Sequence, residues 1–107
     1  MSLFKRFSKK PTKEEIITIW NEFSSDAQEI KLPYAPSRPI IYLEEEDRPQ
    51  TRKDRDNDKG MAVTVGRLRD DNVFDYKFVA LSHNTVRGAA GGAILMAELL
   101  KEKGFIQ

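Results

Sequence analysis

Cysteine is absent from this 107-residue chain, and histidine and tryptophan each occur once. Without cysteine there is no disulfide scaffold and no thiol chemistry within the chain. With His83 alone, a histidine- or cysteine-rich zinc site is also out of reach, and no metal site is expected. Apolar runs are short, far below the roughly 20 residues that a membrane-crossing helix needs. Lys5, Arg6, Lys9 and Lys10 make the start basic, but no apolar segment follows, so it does not read as a secretory leader. An excess of one charge is missing too. Eighteen Lys and Arg face seventeen Asp and Glu, a net charge of +1, which gives no global field to draw nucleic acid or an acidic membrane. The local patch that Lys13 completes has no aromatic stacking pattern and no reading helix beside it. The expectation is a cytoplasmic chain of one domain at most, with neither nucleic acid nor membrane as partner.

What is present reads as a small α+β layer. Residues 2–7 form a candidate strand. Thr12 and Glu15 have the spacing of a capping box. Ile16, Ile19, Trp20 and Phe23 then recur on one helical face, as packing residues, and Ser24-Ser25-Asp26 ends the helix. Pro33, Pro36 and Pro39 punctuate a loop, and Ile40–Leu43 reads as a strand. Glu44–Asp47 is an acidic run on a solvated edge. Arg48–Lys59 is a charge-dense loop of alternating sign that alone would suggest disorder. Met61–Arg69 alternates, with Met61, Val63 and Val65 on one face and Thr64 and Gly66 on the other. After a turn at Asp70-Asp71-Asn72, Val73–Leu81 is a second strand in which Phe74, Tyr76 and Phe78 share a face. The two pair as an antiparallel hairpin. Ala93, Met96, Ala97 and Leu100 mark a last helix, with Lys101 and Lys103 near its C-terminus and Gly104 as the residue that stops it. No internal repeat is present.

The stretch 78–100 carries the most information. An apolar strand passes through Ser82-His83-Asn84-Thr85 into a helix opened by small residues, with Asn84 or Thr85 as its cap. Gly88, Gly91 and Gly92 each cost a helix interior about 1 kcal/mol against alanine. Such residues either let the helix pack closely on a sheet or let a ligand approach the backbone. A helix N-terminus of this kind also suits an anion or an amide-bearing ligand. Arg87, a cation in the first turn, opposes the helix dipole unless it meets a phosphate or carboxylate. His83 reads as a turn residue with a satisfied ring rather than a catalyst.

Residues 82–100, Ser-His-Asn-Thr-Val-Arg-Gly-Ala-Ala-Gly-Gly-Ala-Ile-Leu-Met-Ala-Glu-Leu-Leu, resemble the C-terminal signature of aspartate-β-semialdehyde dehydrogenase, in the branch found in archaea and fungi. Upstream, Asp47-Arg-Pro-Gln50, Arg52, Asp54-Arg-Asp56, Gly60–Arg69 and Phe74–Phe78 also fit, as does Lys10–Ile17, so the resemblance runs over roughly residues 3–106. It implies part of that family's dimerisation domain, a mixed or antiparallel sheet with helices (residues 1–81). A cofactor-contacting turn and C-terminal helix that packs on the cofactor domain would follow (82–107).

The family makes L-aspartate 4-semialdehyde and phosphate from L-aspartyl-4-phosphate and NADPH, towards lysine, methionine and threonine. Its cysteine nucleophile, its glycine-rich dinucleotide fingerprint and its active-site histidine have no counterpart here. The resemblance therefore implies a C-terminal piece that is inactive alone: a truncated gene, a remnant, or one half of a split enzyme. NADP would be bound mainly by the missing N-terminal domain, with Asn84, Thr85, Arg87 and Gly88 contributing from this chain and no catalytic residue among them. Partners would be a homodimer or homotetramer in the intact enzyme, and an N-terminal half. Arg48, Arg52, Arg55, Asp54, Asp56 and Asp58 become candidates for ion pairs at such an interface. Two other readings stand beside this one: a non-catalytic interaction remnant, and part of an archaeal malonyl-CoA reductase. The Arg48-Pro-Gln50 and Gly66–Arg69 motifs favour the aspartate-semialdehyde enzyme over N-acetyl-glutamyl-phosphate reductase.

Overall fold

The computed structural model describes residues 10–106; the candidate strand at 2–7 lies outside them. In chain order come helix α1 (Lys13–Glu22), a single turn α2 (Asp26–Glu29), strand β1 (Ile40–Leu43), a single turn α3 (Thr51–Asp54) and a 3₁₀ turn (Asn57–Gly60). Strands β2 (Val63–Asp70) and β3 (Tyr76–Leu81) follow, then a π-helical segment (Val86–Ala90) that runs directly into helix α4 (Gly91–Glu102). The sheet order is β1-β2-β3. β1 is parallel to β2, with Tyr42 opposite Val65, and β2 is antiparallel to β3, with Val65 opposite Ala80.

The capping box of α1 forms as its spacing predicts. Thr12 Oγ1 accepts from the Glu15 N–H at 3.1 Å, and Glu15 Oε1 accepts from the Thr12 N–H at 3.2 Å. The helix then lays Trp20 on the sheet. Its indole stacks on Tyr42 of β1, with centroids 5.8 Å apart, and meets Phe78 of β3 edge-on at 5.1 Å. Such pairs add roughly 0.5–1.5 kcal/mol beyond the area they bury. Tyr76 ties the helix start to β3 by donating from its hydroxyl to the Pro11 carbonyl at 2.7 Å.

The other face of the sheet is covered by the crossover from β1 to β2. Thr64 is fully buried on that side, and a methyl group added at Gly66 would collide with the Arg48 carbonyl. Both faces of β2 are thus covered, and Met61, Ala62, Val65 and Leu68 are all buried.

The charge-dense loop is ordered, and one expectation about it is corrected. Arg48 and Asp54 do not wait for an interface: they pair with each other inside this chain, with Asp54 only 1% exposed. Asp54 also accepts from the Gln50 N–H at 2.7 Å and from Asn57 Nδ2 at 3.3 Å. The same Asn57 nitrogen donates to Thr64 Oγ1 at 3.1 Å. Burial drives this closure, because a buried carboxylate is stable only with its oxygens satisfied. Asp58 is likewise used internally, accepting from the Ser37 N–H at 2.7 Å. The Arg55–Asp56 pair is exposed.

The hairpin forms, with two corrections. Val73 and Phe74 belong to the turn, because the Asp71 carboxylate accepts from both of their N–H groups, at 3.1 and 2.8 Å, and so folds the chain there. Phe74 consequently shares no face with Tyr76 and Phe78 and is 78% exposed. The register also shifts between Gly66 and Arg69, where Arg67 takes a φ of 57°. This is a bulge that simple alternation does not foresee.

Helix α4 stops as expected. Gly104 has a φ of 82°, its N–H donates to the Lys101 carbonyl at 3.1 Å, and the Phe105 N–H donates to Leu100 at 2.9 Å. This is the paired hydrogen-bond pattern of a Schellman stop. Lys103 reaches Asp26, and Glu98 accepts from the Tyr34 N–H at 2.9 Å, so α4 is fixed to the segment that follows α1. Among the described residues no helix is long and apolar enough to cross a membrane.

Candidate functional site

At the end of β3 the chain leaves the sheet and turns at Ser82–Gly88. The side chain that organises this turn is His83. Its Nδ1 accepts from the Thr85 N–H and the Val86 N–H, each at 3.3 Å, with the Thr85 hydroxyl at 3.1 Å. The Gly88 N–H then donates to the His83 carbonyl at 3.1 Å, and the Ala90 N–H to the Thr85 carbonyl at 3.3 Å. Both bonds span five residues, which is the π-helical spacing.

This corrects the expected cap. Neither Asn84 nor Thr85 caps the helix with its side chain, and α4 begins at Gly91 behind Ala90, which already has helical angles of −61° and −47°. The histidine and the π turn between them occupy the N–H groups of Thr85, Val86, Gly88 and Ala90. The open anion cradle expected from the sequence is therefore largely closed. A longer acceptor that starts earlier in the chain, His83, reaches the donors first.

The glycines separate into two kinds. A methyl group on Gly91 would lie 2.6 Å from Met61 Sδ and 2.8 Å from the Val86 carbonyl, and one on Gly92 would lie 2.5 Å from the Arg87 carbonyl. These two permit close internal packing. At Gly88 the nearest atom would be 3.9 Å away, the His83 carbonyl, so a methyl group would make only an ordinary contact. No packing within the described residues requires glycine there.

Asn84 and Thr85 are exposed, and Arg87 is half-buried without an ion pair among the described residues. Asn84 lines a hollow of about 170 Å³ together with Thr51, Arg55, Leu81, Ser82 and His83. Its side-chain amide offers both donors and an acceptor. Of the four residues expected to serve the cofactor, Asn84 borders this hollow and Gly88 lies next to His83, while Thr85 is committed to the His83 ring.

Sequence reasoning missed the floor of the turn. Gly60, with a φ of 81°, lies against it: a methyl group there would sit 3.2 Å from Val86 Cβ and 3.3 Å from His83 Cδ2. Asp56 Oδ1 lies 3.8 Å from His83 Nε2. The run Asn57-Asp58-Lys59-Gly60 carries a turn signature, but the charge density of Arg48–Lys59 hides it.

The mixed sheet, the crossover packed beneath it and the turn that sets Asn84 at a hollow define a small α+β domain. Residues 2–87 match the family described as "Semialdehyde dehydrogenase, dimerisation domain". The chain belongs to this family, as its α+β fold and its signature at 82–100 imply. It is 45% identical over 103 residues to aspartate-semialdehyde dehydrogenase of Candida albicans, covering 94% of this chain and 28% of that protein. It is 56% identical over 75 residues to the enzyme of Archaeoglobus fulgidus, covering 69% and 22%. It is also 49% identical over 94 residues to the malonyl CoA reductase (NADP) of Metallosphaera sedula, covering 86% and 26%. The crystal structure of the Candida albicans dehydrogenase with NADP superposes with a TM-score of 0.78 at 42% identity, over 94% of this chain and 28% of that one. The chain thus spans about a quarter of the length of the relatives it matches.

Proposed function

We propose that this chain serves as the dimerisation part of an NADP-dependent aspartate-semialdehyde dehydrogenase, which interconverts L-aspartyl-4-phosphate and L-aspartate 4-semialdehyde with phosphate release. The carrying observation is the Ser82–Gly88 turn, where Asn84 borders a hollow of about 170 Å³ and Gly88 leaves its backbone uncovered. Both features suit the edge of a nicotinamide nucleotide, which supplies the hydride when bound. Asn84 offers its amide to the carboxamide, Gly88 admits close approach, Thr85 holds the turn, and Arg87 stands by for a phosphate oxygen. The domain expected at the N-terminal side provides most of the nucleotide's binding surface, the thiol nucleophile and the proton-transferring histidine. Residues 1–81 form the dimerisation layer, and 82–107 form the turn and the helix that rests on the cofactor domain. The working assembly is a cytoplasmic homodimer or homotetramer. Because the family's thiol nucleophile has no counterpart in these cysteine-free 107 residues, the chain alone is catalytically silent.

The test is to purify the chain and assay NADPH turnover with L-aspartyl-4-phosphate, first alone and then mixed with the N-terminal part of a fungal relative. Silence alone and activity on mixing support the reading. Turnover by the chain alone, or neither activity nor co-elution on mixing, sinks it. A second reading, malonyl-CoA reduction, is kept by the 49% identity to the Metallosphaera sedula enzyme. Malonyl-CoA in the same mixed assay separates the two.

A further inference from the structure

A backbone N–H can only donate, and two of them point at His83 Nδ1, from Thr85 and Val86 at 3.3 Å each. That nitrogen must therefore present its lone pair, and the proton of the neutral ring resides on Nε2. The Thr85 hydroxyl, 3.1 Å away, then donates to Nδ1 as well. On the opposite edge Nε2 looks toward Asp56 Oδ1 at 3.8 Å, an acceptor on the side that carries the proton. Gly60 brings its backbone against the ring edge at Cδ2. The imidazole is thus fixed from three sides, and its side chain is 21% exposed. Asn84, between the ring and its donors, is left at the hollow.

We infer that His83 is a positioning residue. Held as the Nε2–H tautomer, it gathers the Thr85 and Val86 amides onto Nδ1 and so sets the turn that offers Asn84 and Gly88 to a ligand. That the ligand is a nicotinamide nucleotide rests on the function proposed above. His83 takes no part in proton transfer in this role, because its only free lone pair is consumed by the chain's own donors.

The test uses the full chain and three measurements. The imidazole ¹⁵N spectrum in mildly alkaline buffer reads the tautomer directly. Amide hydrogen exchange reads Thr85 and Val86, with Val65 of β2 as a global reference. Titration with NADP⁺, on the chain mixed with the N-terminal part of a fungal relative, follows the amide signals of Asn84 and Gly88. The expected result is an Nε2–H ring. In H83F, exchange at Thr85 and Val86 rises about tenfold, the loss expected for a pair of modest hydrogen bonds, while Val65 is unchanged. In H83N, whose side-chain oxygen can accept from the same N–H groups as in an Asx turn, protection returns to within about threefold. A ring protonated on Nδ1 overturns the inference, and so does unchanged exchange in a folded H83F. Should H83F fail to fold, the tautomer of the unsubstituted chain decides. If NADP⁺ moves neither Asn84 nor Gly88 while tautomer and exchange behave as stated, the nucleotide reading falls and the role of His83 in the turn stands.

Discussion

Arg48 and Asp54 close on each other beneath the sheet. Arg48 Nε donates to Asp54 Oδ2 at 2.8 Å, and a second guanidinium nitrogen contacts Oδ1. A fork of this kind is the strongest form of side-chain hydrogen bond. Here it does more than join two charges. Asp54 also holds the Gln50 amide and Asn57, and Asn57 holds Thr64 near the start of β2. The segment so anchored continues into Gly60, the floor under His83 and Val86. The ion pair and the candidate site are therefore ends of one connected structure.

This geometry makes stability acid-sensitive. The Arg48 guanidinium lowers the Asp54 carboxyl from 3.8 to about 2, against the opposing effect of burial and with help from the Gln50 amide and Asn57. A carboxyl whose folded value is depressed adds stability that is present above its unfolded value and lost as pH falls through the folded one. The contribution is about 2 kcal/mol near neutrality and disappears between roughly pH 4 and pH 2. Urea unfolding followed by Trp20 fluorescence across that range measures it. D54N should flatten this part of the profile, and an unchanged slope in D54N would refute the assignment.

Removing one partner is costlier than the pair is valuable. In D54A the half-buried guanidinium of Arg48 loses its bidentate partner, and the Gln50 amide and Asn57 lose their acceptor. A loss of about 3 kcal/mol or more is expected. R48M leaves the fully buried Asp54 with two donors but no counter-charge and should cost at least as much. The double substitution should fall short of the sum, because both changes break one network. Denaturant midpoints of the four proteins test this, and strict additivity would show that the two side chains are not coupled.

Much of this domain could be read from residue spacing. Thr12 with Glu15, the Ile16–Trp20 face, the strands and the stop at Gly104 are local signals, each set by hydrogen bonds or faces within a few residues, whereas Phe23, expected to pack with that face, lies past the helix end and is 50% exposed. What could not be read depends on distant parts of the chain meeting. The pairing of Arg48 with Asp54 needs the crossover to fold under β2, and neither residue differs in sequence from a surface charge. The bulge at Arg67 answers to strand pairing rather than to its own neighbours. At the candidate site, the glycine-rich stretch marks the turn that holds Asn84, and the structure sets Asn84 exposed beside a hollow. The cap was misassigned because His83 reaches the same donors as Asn84 or Thr85 would, and only geometry shows which acceptor arrives.

Two glycines should respond oppositely to alanine. At Gly66 the added methyl meets the Arg48 carbonyl and, at 2.9 Å, Pro49 Cδ, so backbone must shift. G66A should cost about 2 kcal/mol, within the usual range for overpacking. At Gly88 the methyl makes only an ordinary contact with the His83 carbonyl, and the conformation is helical. G88A should therefore leave stability equal or raise it by up to about 1 kcal/mol. Thermal unfolding of the two variants decides. A strongly destabilised G88A would mean that this glycine packs internally, and would remove the argument that something approaches it from outside.

Self-association should follow from the apolar surface this chain carries. Val73 and Phe74 are 82% and 78% exposed at the hairpin tip, Met96 is 55% exposed on α4, and Phe23 and Phe78 are each 50% exposed. Residues of this size gain roughly 25 cal/mol for each Å² removed from water, so covering them by a second copy is favourable. The family is one of dimerisation domains, which agrees with a surface built to be covered. Sedimentation velocity should show a weight-average mass that rises with concentration. F74D is the informative variant, because a side chain so exposed supports little of its own fold and its loss should leave the unfolding midpoint in place. Its expected effect is a weaker association with unchanged Trp20 fluorescence. A chain that stays monomeric at the highest attainable concentration would show that these residues await a different partner, with the cofactor domain the first to try.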